Sequence, residues 1–277
     1  MGPRLFGIPA TEAPVIAVLR RGPSGWSHVG RWDPEAGTYQ SGSWLHGVIY
    51  PQRCDFSPDG RWLTYFVLKA SAAWAPGAAY IAVSRLPWLT ALAAWGTRGT
   101  WTRGLAFVPR GTAAYPAGPP DSGALEPLLQ RYALDHRRPA SFAVERSRGW
   151  TETADSPPQG ADDPWDEKRI KLLTMEKARP GRLSLALRVR GWRAAHRGGQ
   201  PGAGPARYSL VGASGRESPL AGVQWADWAS DGRLLVATTA GELQVRVGPD
   251  AAGITWRHDL APLTPDPVPP PPAAHEW

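Results

Sequence analysis

Cysteine is almost missing from this chain of 277 residues. Cys54 stands alone, so no disulfide can form within the chain and cysteine-rich zinc sites are excluded. Lysine is scarce as well, with four residues against 27 arginines. No apolar run approaches the length needed to cross a membrane. The short apolar stretch from Pro14 to Leu19 does not make a secretory leader. The expected compartment is therefore the cytoplasm, with no membrane partner.

Familiar catalytic signatures are lacking too. Gly22-Pro23-Ser24-Gly25 and Gly212-Ala213-Ser214-Gly215 miss the spacing of a nucleophile elbow. There is no phosphate-cradling loop and no His-Glu-x-x-His. The six histidines (28, 46, 136, 196, 258 and 275) are scattered without ligand spacing. The acidic run Asp162-Asp163-Pro164-Trp165-Asp166-Glu167 lacks the order of a calcium loop and reads as solvated. Cys54 falls where a buried strand residue is expected. No catalytic, cofactor or metal residue is nominated, and the chain reads as a non-enzyme.

Glycine and proline are plentiful, at 31 and 30 residues. Both disfavour helix interiors, which excludes a helical bundle. Fifteen tryptophans and much Ala and Arg complete a composition of the bacterial high-GC kind. The net charge of +7 is unevenly spread. Lys177 to Arg216 holds nine bases and no acid, and Gly149 to Glu167 holds six acids and no base.

The pattern along the chain is short strands between turns. Arg182–Trp192 shows it best, with Leu183, Leu185, Leu187 and Val189 alternating with polar residues. Further strands are expected at 15–20, 62–68, 80–84, 105–108, 141–145, 207–211, 234–238 and 243–247. Short helices are expected at 86–95 and 122–134. Seven prolines after Leu260 suggest an extended, polyproline-like or disordered tail.

One motif recurs. Asp55-Phe-Ser-Pro-Asp59-Gly60-Arg-Trp-Leu matches Asp227-Trp-Ala-Ser-Asp231-Gly232-Arg-Leu-Leu, 172 residues later. Weaker echoes lie at 107–111 and 178–183. Asp-Gly supplies the positive torsion that a tight hairpin needs. Asp55 and Asp227 are positioned to accept amide hydrogens from those turns.

These residues resemble the turns of WD-type repeat β-propellers, above all the TolB-like variety, although the Gly-His…Trp-Asp signature is absent. The resemblance implies an all-β propeller of about five blades (four to six fit the spacing). It would occupy residues 1–264, followed by a proline-rich disordered tail at 265–277. Val15–Leu19 would pair into the last blade to close the ring. Such propellers host both enzymes and scaffolds; with no catalytic constellation in the sequence, a protein-interaction scaffold is expected, and the expected partner is another protein. The alternatives are a hydrolase with its site at the propeller mouth, or a polyanion-binding module. The module would use Arg188, Arg190, Arg193 and Arg197 on phosphates, with nucleic acid the less favoured ligand. In the preferred reading those arginines face the acidic stretch 152–167 instead.

Overall fold

A computed structural model describes residues 2–23, 25–69, 76–97, 104–108, 125–135, 143–153, 172–193, 206–248 and 250–277. Among them, strands form five antiparallel sheets that follow one another along the chain. The first runs in the order β1(Arg4–Pro9), β2(Ile16–Arg21), β3(Trp26–Asp33), β4(Thr38–His46). The second has β5(Val48–Ile49), β7(Trp62–Leu68), β8(Ala79–Arg85) and β9(Ala91–Gly96), with β6(Asp55–Phe56) also on β7. The third pairs β10(Ala106–Val108) with β11(Ala133–Asp135). The fourth orders β12(Thr151–Glu152), β13(Leu172–Arg179), β14(Arg182–Arg193), β15(Arg207–Gly212) and β16(Glu217–Pro219). The fifth orders β17(Val223–Trp228), β18(Leu234–Thr238), β19(Glu242–Val247) and β20(Gly253–Asp259). Two short helices, α1(Glu126–Leu129) and α2(Ala143–Ser147), complete the described elements together with two single 3-10 turns.

By contacts the chain divides into two compact units. One comprises Met1–Leu5 with Ser141–Pro262, the other Phe6–Ala140 with Leu263–Trp277. The core of the first unit joins Met175, Leu187 and Val189 to Trp228, Leu234 and Val236, from the fourth and fifth sheets. The core of the second joins Phe66, Ile81 and Val83 to Phe107, Leu125 and Leu128. Each such aliphatic or aromatic side chain contributes about 1.5–3 kcal/mol when removed from water.

Alternation in β14 splits its faces as the spacing predicts. Leu187 and Val189 are fully buried, Leu185 packs on the same core, and Arg190 is exposed on the other side. Only partly exposed, Arg188 is held by acids described below. The side chain of Leu183 lies outside the described residues.

Four expectations are corrected. First, Val15–Leu19 does not join the last sheet, because β2 lies between β1 and β3. The turn through Gly22 and Gly25 brings β3 back alongside β2, and this nearby pairing closes a short loop at small entropic cost. Second, the stretch expected as a helix at 86–95 turns after Leu86 and then forms β9, bonded to β8. Third, of the strand expected at 141–145 the described part, Ala143–Glu145, lies in α2, and of the helix expected at 122–134 the described part holds α1 and then enters β11; 122–124 and 141–142 lie outside the described residues. Local pattern does not separate such short segments.

Fourth, the tail is fastened rather than disordered. Arg20 Nη2 donates to the carbonyl of Leu263 at 2.9 Å, and Arg85 Nη1 to that of Ala273 at 3.2 Å. Ala274 is buried, and the Trp277 ring lies 5.5 Å from that of Trp62. The proline count concealed these anchors.

Gly60 (φ +71°) turns the chain between β6 and β7, and Gly232 (φ +80°) between β17 and β18. A Cβ on Gly232 would stand 3.1 Å from the Pro180 carbonyl, and one on Gly60 3.2 Å from Val15 Cβ. Gly60→Ala and Gly232→Ala are therefore each expected to destabilise by on the order of 1 kcal/mol or more. Urea titration of the single variants checks this, and a cost near zero at both would contradict it.

Candidate functional site: two aspartate joints and a charged strand face

Asp55 leads the first copy of the repeat and is buried on β6. One carboxylate oxygen accepts the N–H of Phe56 at 2.8 Å. The other accepts the N–H of Phe107 on β10, 52 residues away, at 2.7 Å. Beside it, Thr64 Oγ1 donates to the carbonyl of Leu105 at 2.8 Å. The repeat aspartate thus ties the second sheet to the third. It does not serve the turn, because it sits on the strand before it. Ser57 Oγ and Asp59 do that work. Ser57 Oγ accepts from Trp62 N at 2.9 Å and donates to Asp59 Oδ1 at 2.6 Å.

Asp227 occupies the equivalent place on β17 and is also buried. Its Oδ1 accepts the N–H of Trp228 at 2.7 Å, which reproduces the bond from Phe56 to Asp55. The long-range partner differs. Lys177 Nζ on β13 donates to Asp227 Oδ1 at 2.6 Å, and Trp228 Nε1 donates to the Lys177 carbonyl at 3.1 Å. The turn itself is held by Asp231, whose Oδ1 accepts Arg233 N at 3.0 Å. A backbone amide in one joint is replaced by an ammonium in the other. Asp227→Asn leaves a mostly buried lysine without its counter-charge and is expected to cost about 3 kcal/mol or more. Asp55→Asn loses one good acceptor for an amide and should cost about 1–2 kcal/mol. Chemical denaturation of the two variants side by side tests the order, which the reverse ranking would overturn.

The candidate anion-binding arginines are brought together in part. Arg188 is ion-paired to Glu176, directly across from it on β13, and to Glu217 on β16. Arg190 also pairs with Glu217, which accepts a further bond from Ser209 Oγ at 3.2 Å. Burial alone would lower the Arg188 pKa, but Glu176 and Glu217 outweigh it and raise it. Glu217 is held below the usual carboxylate range, first by the Arg190 hydrogen bond. These acids are not those of the stretch 152–167. Within it Glu152 pairs with Arg146 at 2.7 Å, and 154–167 lie outside the described residues. So do Arg197 and the side chain of Arg193. Glu176 and Glu217 lie across the strands from the arginines, so register, which charge blocks do not reveal, selects them.

Sequence reasoning missed a buried polar group in the first sheet. Arg20, His28 and Trp44 sit side by side on β2, β3 and β4. The Arg20 guanidinium lies 5.1 Å from the Trp44 ring centroid, and the His28 and Trp44 rings are 4.7 Å apart. His28 is fully buried, with Nε2 at 2.9 Å from Ser41 Oγ and no partner on Nδ1. Burial and, to a lesser degree, the Arg20 charge push its pKa down from 6.5 to about 4. A signal was present in the alternation of Val18-Leu19-Arg20 with Ser27-His28-Val29, but only pairing shows that the two polar residues meet.

His28 makes stability depend on pH with a definite sign. The unfolded chain binds the proton near pH 6.5 and the folded chain only near 4, so stability is full above 6.5 and falls between those values. The loss is on the order of 3 kcal/mol. His28→Gln is expected to remove most of that slope in denaturation measured from pH 7 to 4.5. An unchanged slope would count against this account.

Cys54 is buried, its Sγ donating to the Tyr50 carbonyl at 3.2 Å, and burial pushes the thiol up to about 12. Among the described residues no group of three or more His, Cys, Asp or Glu stands close enough to hold a metal ion. The run 162–167 lies outside them. No helix among them is long and apolar enough to cross a membrane. Compared with models of known protein families the chain matches none, and a comparison with curated proteins finds no match.

Proposed function

We propose that this chain is a propeller-type scaffold, with one antiparallel sheet per blade, that binds partner proteins through the outer edge of its last sheet. Five consecutive antiparallel sheets support the propeller reading, as do equivalent aspartate joints at the two copies of the repeat. The edge itself carries the functional reading. β20 ends the order of the fifth sheet, and no further strand pairs with it among the described residues. Ile254 on this strand is 49% exposed. Two and four residues on, the Trp256 and His258 rings stack at 6.0 Å with their planes 14° apart. On the edge strand β4, Ser43 N donates to the Pro87 carbonyl and Leu89 N to Ser43 Oγ.

A strand that ends a sheet with no further strand paired to it among the described residues offers N–H and C=O groups to a second chain, and an exposed apolar side chain beside it adds specificity. The matching partner is an extended protein segment that adds a strand to β20. In the test, the purified chain captures proteins from its native cell extract. Each captured protein is then purified and titrated against wild type and Ile254→Arg. A partner whose affinity falls at least about tenfold in the variant supports the reading. Binding that the variant leaves unchanged removes β20 from the interface.

A further inference from the structure

The segment 263–277 has both of its ends fastened and its middle in solvent. One end is held at the Leu263 carbonyl by Arg20, a buried arginine. The other is held three ways: Arg85 on the Ala273 carbonyl, Ala274 in the core, and Trp277 against Trp62. Trp62 and Arg85 are direct cross-strand neighbours on β7 and β8, so one spot on the sheet takes the whole second anchor. Between the anchors lie Val268 and the run Pro269–Pro272. Val268 is 56% exposed, the most exposed large apolar side chain among the described residues. Of the four prolines only Pro270 is partly covered.

The conformation of this middle follows from sterics. Each proline ring fixes φ near −65°, and each residue before a proline is driven out of the helical region. Pro271, with φ −67° and ψ 159°, is in polyproline II geometry. A polyproline II helix repeats every three residues and leaves its ring faces available. It ends here at Pro271, whose carbonyl accepts the N–H of Ala274 at 2.9 Å where the 3-10 turn Pro272–His275 begins. The segment carries Asp266 and Glu276 and no Lys or Arg.

We propose that Val268–Pro271 is a preformed ligand for a polyproline-reading domain, one with an aromatic-lined groove and a basic rim. Aromatic grooves of this kind select polyproline II because its order is already present before binding. The two anchors add to that advantage by suspending the ligand over the second unit. The inference does not rest on the β20 reading, since the two surfaces share no residue.

The experiment titrates the full chain, and separately the free peptide 263–277, against three purified probes: an EVH1, an SH3 and a WW domain. At least one probe is expected to bind the full chain, and at least about threefold more tightly than the free peptide, because the anchors hold the ligand in place. Replacing Pro269–Pro272 with alanine should abolish binding. Val268→Asp, a single change at an exposed site, should weaken it at least about tenfold. Trp277→Ala should bring the affinity of the chain down to that of the peptide. Ile254→Arg should have no effect. Failure of all three probes to bind the chain overturns the proposal. So does binding that neither the alanine variant nor Val268→Asp alters, and so does binding by the peptide but not by the chain.

Discussion

A buried carboxylate at the start of each of the two motif copies is the constraint that ties one sheet to the next within each unit. Antiparallel hairpins pair locally, through their own turns. Joining one sheet to the next requires a contact that local pairing cannot supply. Asp55 provides it by accepting an amide of β10, and Asp227 by accepting the ammonium of Lys177 on β13. Because both are buried, their oxygens have little access to water and must be satisfied by protein donors. That demand turns a loose stacking of apolar faces into a defined register between sheets.

The same residue type has been given two electrostatic solutions. At Asp55 the charge is met by peptide dipoles. At Asp227 it is met by a full opposite charge, with Trp228 fixing the lysine's own carbonyl. The first costs less to desolvate, and the second holds a more specific partner. The network around Arg188 differs again, since it lies on a partly exposed strand face and is screened by water. It orders β13, β14 and β16 relative to one another more than it stabilises them.

Much of the all-β character was legible because it rests on local signals. Alternation marked β14, short segments between turns marked β7, β18 and β19, and Asp-Gly marked the turns at Gly60 and Gly232. β4 escaped because Thr38–His46 is polar and glycine-bearing, with no apolar face to read. β9 escaped because its alanines favour helix, a local preference that pairing with β8 overrides. The repeat aspartates were recognised, but their role was not. Their partners at Phe107 and Lys177 lie 52 and 50 residues away, and only tertiary structure selects them. His28 and Arg20 were hidden for the same reason: each looks like an ordinary surface residue until register places them together. In the tail, seven prolines outweighed two anchors, Ala274 and Trp277, that composition cannot weigh.

The lone thiol has a use that follows from its surroundings. Cys54 is sealed between the second sheet and the turn before it, and burial keeps it protonated. Reagents that need a thiolate cannot reach it while this region is closed. With no second cysteine to share the label, its alkylation rate counts openings of one place in the molecule. The chain thus carries its own clock for local breathing around Asp55, readable by mass spectrometry without adding any probe.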